Sequence, residues 1–237
     1  MPDSIYLAMT AAEIEAAGSL PDKLAYMACH FSSYGTGLSN LPSQLPEGSI
    51  LILNDRTPIC GHDGKLIAQQ LTQMVEGFGC LGVLLDLQRP DEPGVQQLAQ
   101  QLYHALPDKI AISHHYAKGL LCPVFLPPLP VGQKLSEHIA PWAGRELWLD
   151  VCCETAKVTV TAQGSCRELL SFSDLEDLPF CHDLLHCSYK TAVHEDHAEF
   201  TLCRTHTHLP PLMEEAKALG ITCFIGLYQE FKNAPRN

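Results

Sequence analysis

The chain has 237 residues, 46% of them hydrophobic and 18% charged, a balance that suits a globular protein with a sizeable core. Its 27 acidic residues outnumber 15 basic ones, for a formal net charge of −12. Such a surface repels polyanions, so neither nucleic acid nor an anionic membrane is expected as a partner.

The predicted elements alternate along the chain. Ile5–Met9 is a short apolar piece, followed by a helical segment at Ala11–Ala17 for which Thr10 and Glu13 have the spacing of a capping box. Lys23–Phe31 reads as a strand, Ser32–Gly48 as a polar loop, and Ser49–Asp55 as the next strand. Lys65–Gly77 carries Leu66, Ile67, Leu71, Met74 and Val75 at helical spacing. Gly79–Gln88 is an apolar strand with a polar tip. Pro93–Ala105 is a helix, Lys109–Tyr116 and Cys122–Leu126 are strands, Leu135–Trp142 is a short helix, and Glu146–Val151 is a strand. Thr155–Ala162 and Ala198–Leu202 look extended, Leu169–Leu178 reads as loop, and Leu184–Tyr189 as a strand. Leu209–Gly220 is a helix with two prolines in its first turn and a glycine stop, and Ile221–Tyr228 is a closing apolar strand.

Eight principal strands, starting at Lys23, Ser49, Gly79, Lys109, Cys122, Glu146, Leu184 and Ile221, are near-continuously apolar, as parallel strands covered on both faces should be. The expected fold is α/β, a (β/α)8 TIM-type barrel over 1–237 as a single domain, trimmed or irregular because some crossovers are too short for full helices. A doubly wound open sheet is the alternative.

The 11 cysteines are odd in number, form no C-x-x-C pair, and several lie in apolar runs (Cys29, Cys80, Cys122, Cys223). Reduced thiols packed as small hydrophobes, in a cytoplasmic protein, explain this better than a disulfide framework. The N-terminal residues show neither a basic region nor a long apolar run, so no signal peptide or membrane span is expected.

Chemistry concentrates at strand ends. Asp86 and Gln88 are two residues apart, so on a continuing strand both would face one cavity. Asn54 and Asp55 end another strand, either as ligand contacts or as the start of an Asx-type turn before Arg56-Thr57-Pro58. Tyr116, Asp150 and Tyr228, with Glu230 just beyond, complete the candidate rim; each alone is as readily a packing or capping residue. The 12 histidines cluster at His114-His115, at His194/His197, and with Cys203 at His206/His208, but no H-E-x-x-H or paired C-x-x-C spacing selects a metal set. No G-x-G-x-x-G or Walker sequence is present, and no cofactor is assigned.

Two segments resemble the family-18 glycoside hydrolases, the chitinase-like fold, and in particular its spore-cortex branch. That family carries D-G-x-D-x-D-x-E on the barrel's fourth strand. In LGVLLDLQ, Gly82 matches the glycine, Asp86 the last aspartate, and Gln88 falls at the catalytic glutamate, with Leu81 and Leu84 in place of two aspartates. The second segment, Ala198–Glu230, is similar to the family's final helix and strand, with Tyr228 where a tryptophan usually floors the sugar site. On this alignment Gly79–Gln88 is the fourth strand, Ile5–Met9 supplies an early one, and the region from Cys122 to Leu184 is overcounted.

The resemblance implies a substrate-assisted mechanism in which the glutamate protonates the glycosidic oxygen and the aspartate orients the substrate's N-acetyl group. An amide cannot hand over a proton at neutral pH. The expectation is a barrel that binds an N-acetylglucosamine-type glycan, or another small ligand, with little or no hydrolysis. Two alternatives stay open. One is a hydrolase whose proton donor is Asp55, Glu154 or Glu230. The other is a metal-dependent enzyme using the histidine and cysteine clusters.

Overall fold

The computed structural model describes residues 5–59, 61–89, 94–174 and 177–232. The strands in chain order are β1 (Ile5–Met9), β2 (Leu24–Phe31), β3 (Leu38–Ser39), β4 (Ile50–Asn54), β5 (Gly82–Asp86), β6 (Ile110–Ser113), β7 (Val124–Leu126), β8 (Leu147–Asp150), β9 (Glu154–Thr161), β10 (Gly164–Leu169), β11 (Phe180–His182), β12 (Cys187–Val193), β13 (His197–Arg204) and β14 (Ile221–Leu227). The α-helices are α1 (Ala11–Ala16), α2 (Gly64–Phe78), α3 (Val95–Ala105), α4 (Leu135–Ile139), α5 (Leu209–Ala218) and α6 (Tyr228–Phe231). Among the described residues no helix is long and apolar enough to cross a membrane.

Local chemistry sets the helix ends. Thr10 and Glu13 form the expected capping box on α1, with Thr10 N–H donating to Glu13 Oε2 at 2.7 Å and Glu13 N–H to Thr10 Oγ1 at 3.3 Å. Asp63 caps α2 by accepting from Lys65 N–H, and Gly79 ends that helix at φ 64°, a left-handed position that costs glycine nothing. The expected helix start at Pro93 lies outside the described residues, and Gly94 precedes α3.

Cα packing divides the chain into two compact units. The first spans 1–127, 144–150 and 221–237. Its strands follow the order β1-β14-β8-β7-β6-β5-β4-β2, all parallel, and β1 pairs with β2 to close the ring. Closure rules out the doubly wound open sheet. The two-residue β3 adds antiparallel to the end of β2. Ala8, Ala25, Ile50, Ile52, Leu84, Ala111, Phe125, Trp148, Cys223 and Ile225 fill the barrel interior. The alternate residues, such as Leu51, Leu53, Val83, Leu85 and Ile112, pack outward against the buried stripes of α2 and α3. Burial on both faces is why these strands read as unbroken apolar runs. Gly82 opens β5 where a Cβ would stand 2.6 Å from Lys109 O, the same carbonyl that accepts from Val83 N–H at 2.7 Å. Only glycine allows that approach.

The eighth barrel strand is Ile5–Met9, and Leu184–Tyr189 is not in the barrel. Residues 183–185 form a 3-10 turn, His186 turns the chain at φ 46°, and Cys187–Val193 pairs antiparallel with β11 and β13. Its sequence, CSYKTAV, interleaves polar and apolar residues as a half-solvated antiparallel strand does. With Ile5–Met9 counted, Gly82–Asp86 is the fourth barrel strand in chain order.

The second unit spans 128–143 and 151–220. Its sheet has the order β10-β9-β13-β12-β11, all antiparallel. Val131, Ala156, Cys187 and Leu202 form its core, with Val158, Leu185, Tyr189 and Phe200 packed around them. The Arg204 side chain is buried here at 1% exposure. One Nη donates to Leu129 O, whereas Nε and the other Nη have no hydrogen-bond partner among the described residues.

Candidate ligand site at the barrel mouth

The inward alternation of the barrel continues to the C-terminal ends of its strands. Ile52, Leu84, Ala111 and Trp148 are interior residues, so Asn54, Asp86, Ser113 and Asp150, each two residues further on, face the same way. A fifth polar residue arrives by a different route. The β2–β4 register slips by one residue between Tyr26 and Cys29. Tyr26, Cys29 and Phe31 all pack outward, whereas Met27 packs inward, so the bulge turns His30 inward beside its register partner Asn54. The strand ends therefore bring an imidazole, an amide, two carboxyls and a hydroxyl together above a floor that includes Trp148 and Phe125, with the His30 ring nitrogens against Phe31 O and Asn40 Nδ2 and the Ser113 hydroxyl on the Leu87 backbone.

Asp86 is the centre of this group. Strand β5 ends at Asp86, so Gln88 does not continue the alternation. It folds back, and its Nε2 donates to Asp86 Oδ1. Burial pushes the Asp86 carboxyl above its ordinary value; the Gln88 hydrogen bond opposes that shift, and the neighbouring Asp55 charge adds to it. Asp55 is buried and faces the loop after β5, where its Oδ2 accepts from Gln88 N–H at 2.9 Å and Arg89 N–H at 2.7 Å. Ser113, fully buried, holds Leu87 from the other side, donating to Leu87 O at 2.7 Å and accepting from Leu87 N–H at 3.3 Å. The two residues after Asp86 are thus fixed through their backbone by side chains from the ends of β4 and β6.

Asn54 has both ends of its side-chain amide engaged within the protein. Its Oδ1 accepts from Arg56 N–H at 3.1 Å, the expected Asx-type turn, and its Nδ2 donates to Met27 O at 3.0 Å. Tyr116 is not at a strand end: it lies in the turn after β6, is 4% exposed, and donates its hydroxyl to Arg89 O. That makes it a brace for the β5–α3 loop. Tyr228 and Glu230 lie in the single turn of α6, immediately after β14. Asp150 is the register partner of Ile225 on β14.

His30 and Ser113 escaped the sequence reading as site residues. Ser113 had a signal, a polar residue ending the apolar run IAIS. His30 had none, because without the bulge its parity puts it on the outer face. Glu154, one of the relocated donors considered, lies in the second unit, where its Oε2 accepts from Val131 N–H at 2.5 Å and Arg167 at 2.8 Å. Cys203, His206 and His208 do not converge: Cys203 accepts from Thr155, His206 Nδ1 lies 3.5 Å from Cys153 Sγ, and His208 caps Thr205. A cavity of about 560 Å³ lies between the starts of α2 and α3, lined by residues such as Asp63, Lys65, Gln97 and Gln101. None of the strand-end residues lines it.

No protein-family model matches the sequence, and no curated protein does. Solved structures do match. A Bacillus subtilis protein described as a sporulation-specific glycosylase superposes with a TM-score of 0.51 at 8% identity, covering 84% of this chain and 88% of that one. A chitinase from Chromobacterium violaceum gives 0.48 at 8% identity over 94% and 93% of the two chains. The Bacillus cereus spore cortex-lytic enzyme gives 0.47 at 11% identity over 86% and 63%. In fold, this chain is a closed (β/α)8-type barrel similar to the structure of that sporulation-specific glycosylase.

Proposed function

We propose that this barrel binds a glycan of the N-acetylglucosamine type and does not hydrolyse it by the usual route of chitinase-like enzymes. The observation that carries the reading is the Gln88 amide, hydrogen-bonded to Asp86 at the end of the fourth barrel strand. Where such enzymes keep a proton donor, this chain keeps a group that only donates and accepts hydrogen bonds. Loss of a positioned general acid costs on the order of 10²–10⁴ in rate. Asp86 and Asp150, at the ends of β5 and β8, supply carboxyl oxygens suited to a polyhydroxylated, uncharged ligand, above an aromatic floor. Reduced thiols fit a cytoplasmic location for the protein.

The test pairs binding with turnover. Wild type should bind N-acetylglucosamine oligomers and leave a chromogenic chito-oligosaccharide intact, and Asp86→Ala should weaken binding. Hydrolysis by wild type that Asp86→Ala abolishes would overturn the reading. It would favour instead a hydrolase in which Asp86, whose carboxyl burial holds in the neutral form to higher pH, carries the proton. Absence of binding to any oligomer would remove the glycan assignment.

A further inference from the structure

We infer that the tip of the β12–β13 hairpin is a divalent-metal site for zinc, made by His194, His197 and Glu199. The fold brings these together by a short route. β12 ends at Val193, which pairs with Ala198, and His194 N–H donates to His197 O at 2.8 Å to close the turn. The two imidazoles stand opposite one another, stacked with centroids 4.2 Å apart and an interplanar angle of 12°. Glu199 is two residues beyond His197 on the same strand and so shares its face. One ring nitrogen from each histidine and one carboxylate oxygen all lie within 4.8 Å of one another.

The three side chains stand within reach of one ion once the stacked rings turn their in-plane nitrogen lone pairs toward it. Asp196 Oδ1 lies 2.7 Å from His197 Nδ1, which fixes that nitrogen as the donor and leaves the Nε2 lone pair free. His197 Nε2 is 3.7 Å from Glu199 Oε1, and His194 Nε2 is 3.9 Å from Oε2. Ligands about 2.0–2.2 Å from a tetrahedral zinc stand roughly 3.3–3.5 Å apart, so modest side-chain rotation closes the set. Lys157, from β9, holds Glu199 Oε1 at 2.6 Å. Oε2 can bind the ion while Oε1 keeps the lysine as its outer partner. All three side chains are partly exposed, so the remaining coordination is left to water.

The full-length chain, stripped with a chelator, is titrated with zinc chloride in reducing buffer, and retained zinc is measured after gel filtration. The paired substitution His194→Asn and His197→Asn should remove one equivalent of zinc. Asp196→Asn, which keeps all three ligands, should weaken that equivalent about 10–100-fold. Cobalt at the same site should give visible bands without a thiolate-to-cobalt charge-transfer band. Unchanged zinc content in the paired variant, no zinc on wild type, or a thiolate band carrying the cobalt would each overturn the assignment. If the paired variant does not fold, Asp196→Asn and the cobalt spectrum of wild type decide the question.

Discussion

Asp55→Ala tests whether the loop after β5 is held where the structure places it. The carboxylate makes two bonds, to Gln88 N–H at 2.9 Å and Arg89 N–H at 2.7 Å. Bonds to a charged acceptor are worth about 1.5–3 kcal/mol each, which sets an upper range of roughly 3–6 kcal/mol for losing both. Gln88 and Arg89 are exposed, so water can reach part of what is freed, and the expected loss falls to about 2–4 kcal/mol. Asp55→Asn keeps an oxygen acceptor but not the charge, so it should cost about half as much. The assay is urea unfolding followed by tryptophan fluorescence in a Trp142→Phe background, because Trp148 lies inside the barrel and Trp142 belongs to the second unit. With one barrel reporter, the midpoint shift reads barrel stability at constant denaturant slope. A loss from Asp55→Ala below about 0.5 kcal/mol, or Asn costing as much as Ala, would refute the reasoning.

Two further predictions concern buried charge. Burial raises the Asp86 carboxyl, so its protonated form is favoured in the fold; that stability is present below the ordinary carboxylate range and is lost as pH rises through the raised value. Asp86→Asn should therefore gain stability relative to wild type between about pH 4 and the raised value and then level off, as read by thermal melts; a difference that does not change with pH would exclude it. Burial pushes the Arg204 guanidinium down, and Nε and one Nη find no partner among the described residues. Arg204→Met should leave stability within about 1 kcal/mol or raise it, whereas a loss near 3–5 kcal/mol would mean that the guanidinium belongs to a working buried pair.

The barrel was legible because its strands are buried on both faces and say so. SILILND, GVLLD and ELWLDV each announce a strand and its polar end without reference to any other part of the chain. The capping box at Thr10 and Glu13, the Gly79 stop and the Asx turn at Asn54 were legible for the same reason: each is a bond between near neighbours. The choice between Ile5–Met9 and Leu184–Tyr189 was harder, since both are short and partly apolar. It turned on pairing, β1 with β14 across most of the chain length and β12 with its hairpin neighbour β13.

What the sequence by itself determined is the kind of surface this protein has and the polar residues at the ends of its strands. What only the tertiary structure decided is how those ends are used. A one-residue slip between β2 and β4 turns His30 into the mouth, since side-chain direction depends on parity and parity on pairing. Asp55 proved to be the anchor of the loop that carries Gln88, through backbone bonds that residue spacing cannot reveal. The stacking of His194 on His197 beside Glu199 likewise needed a hairpin register, because a carboxylate and two imidazoles close in sequence meet only when the turn between them is fixed.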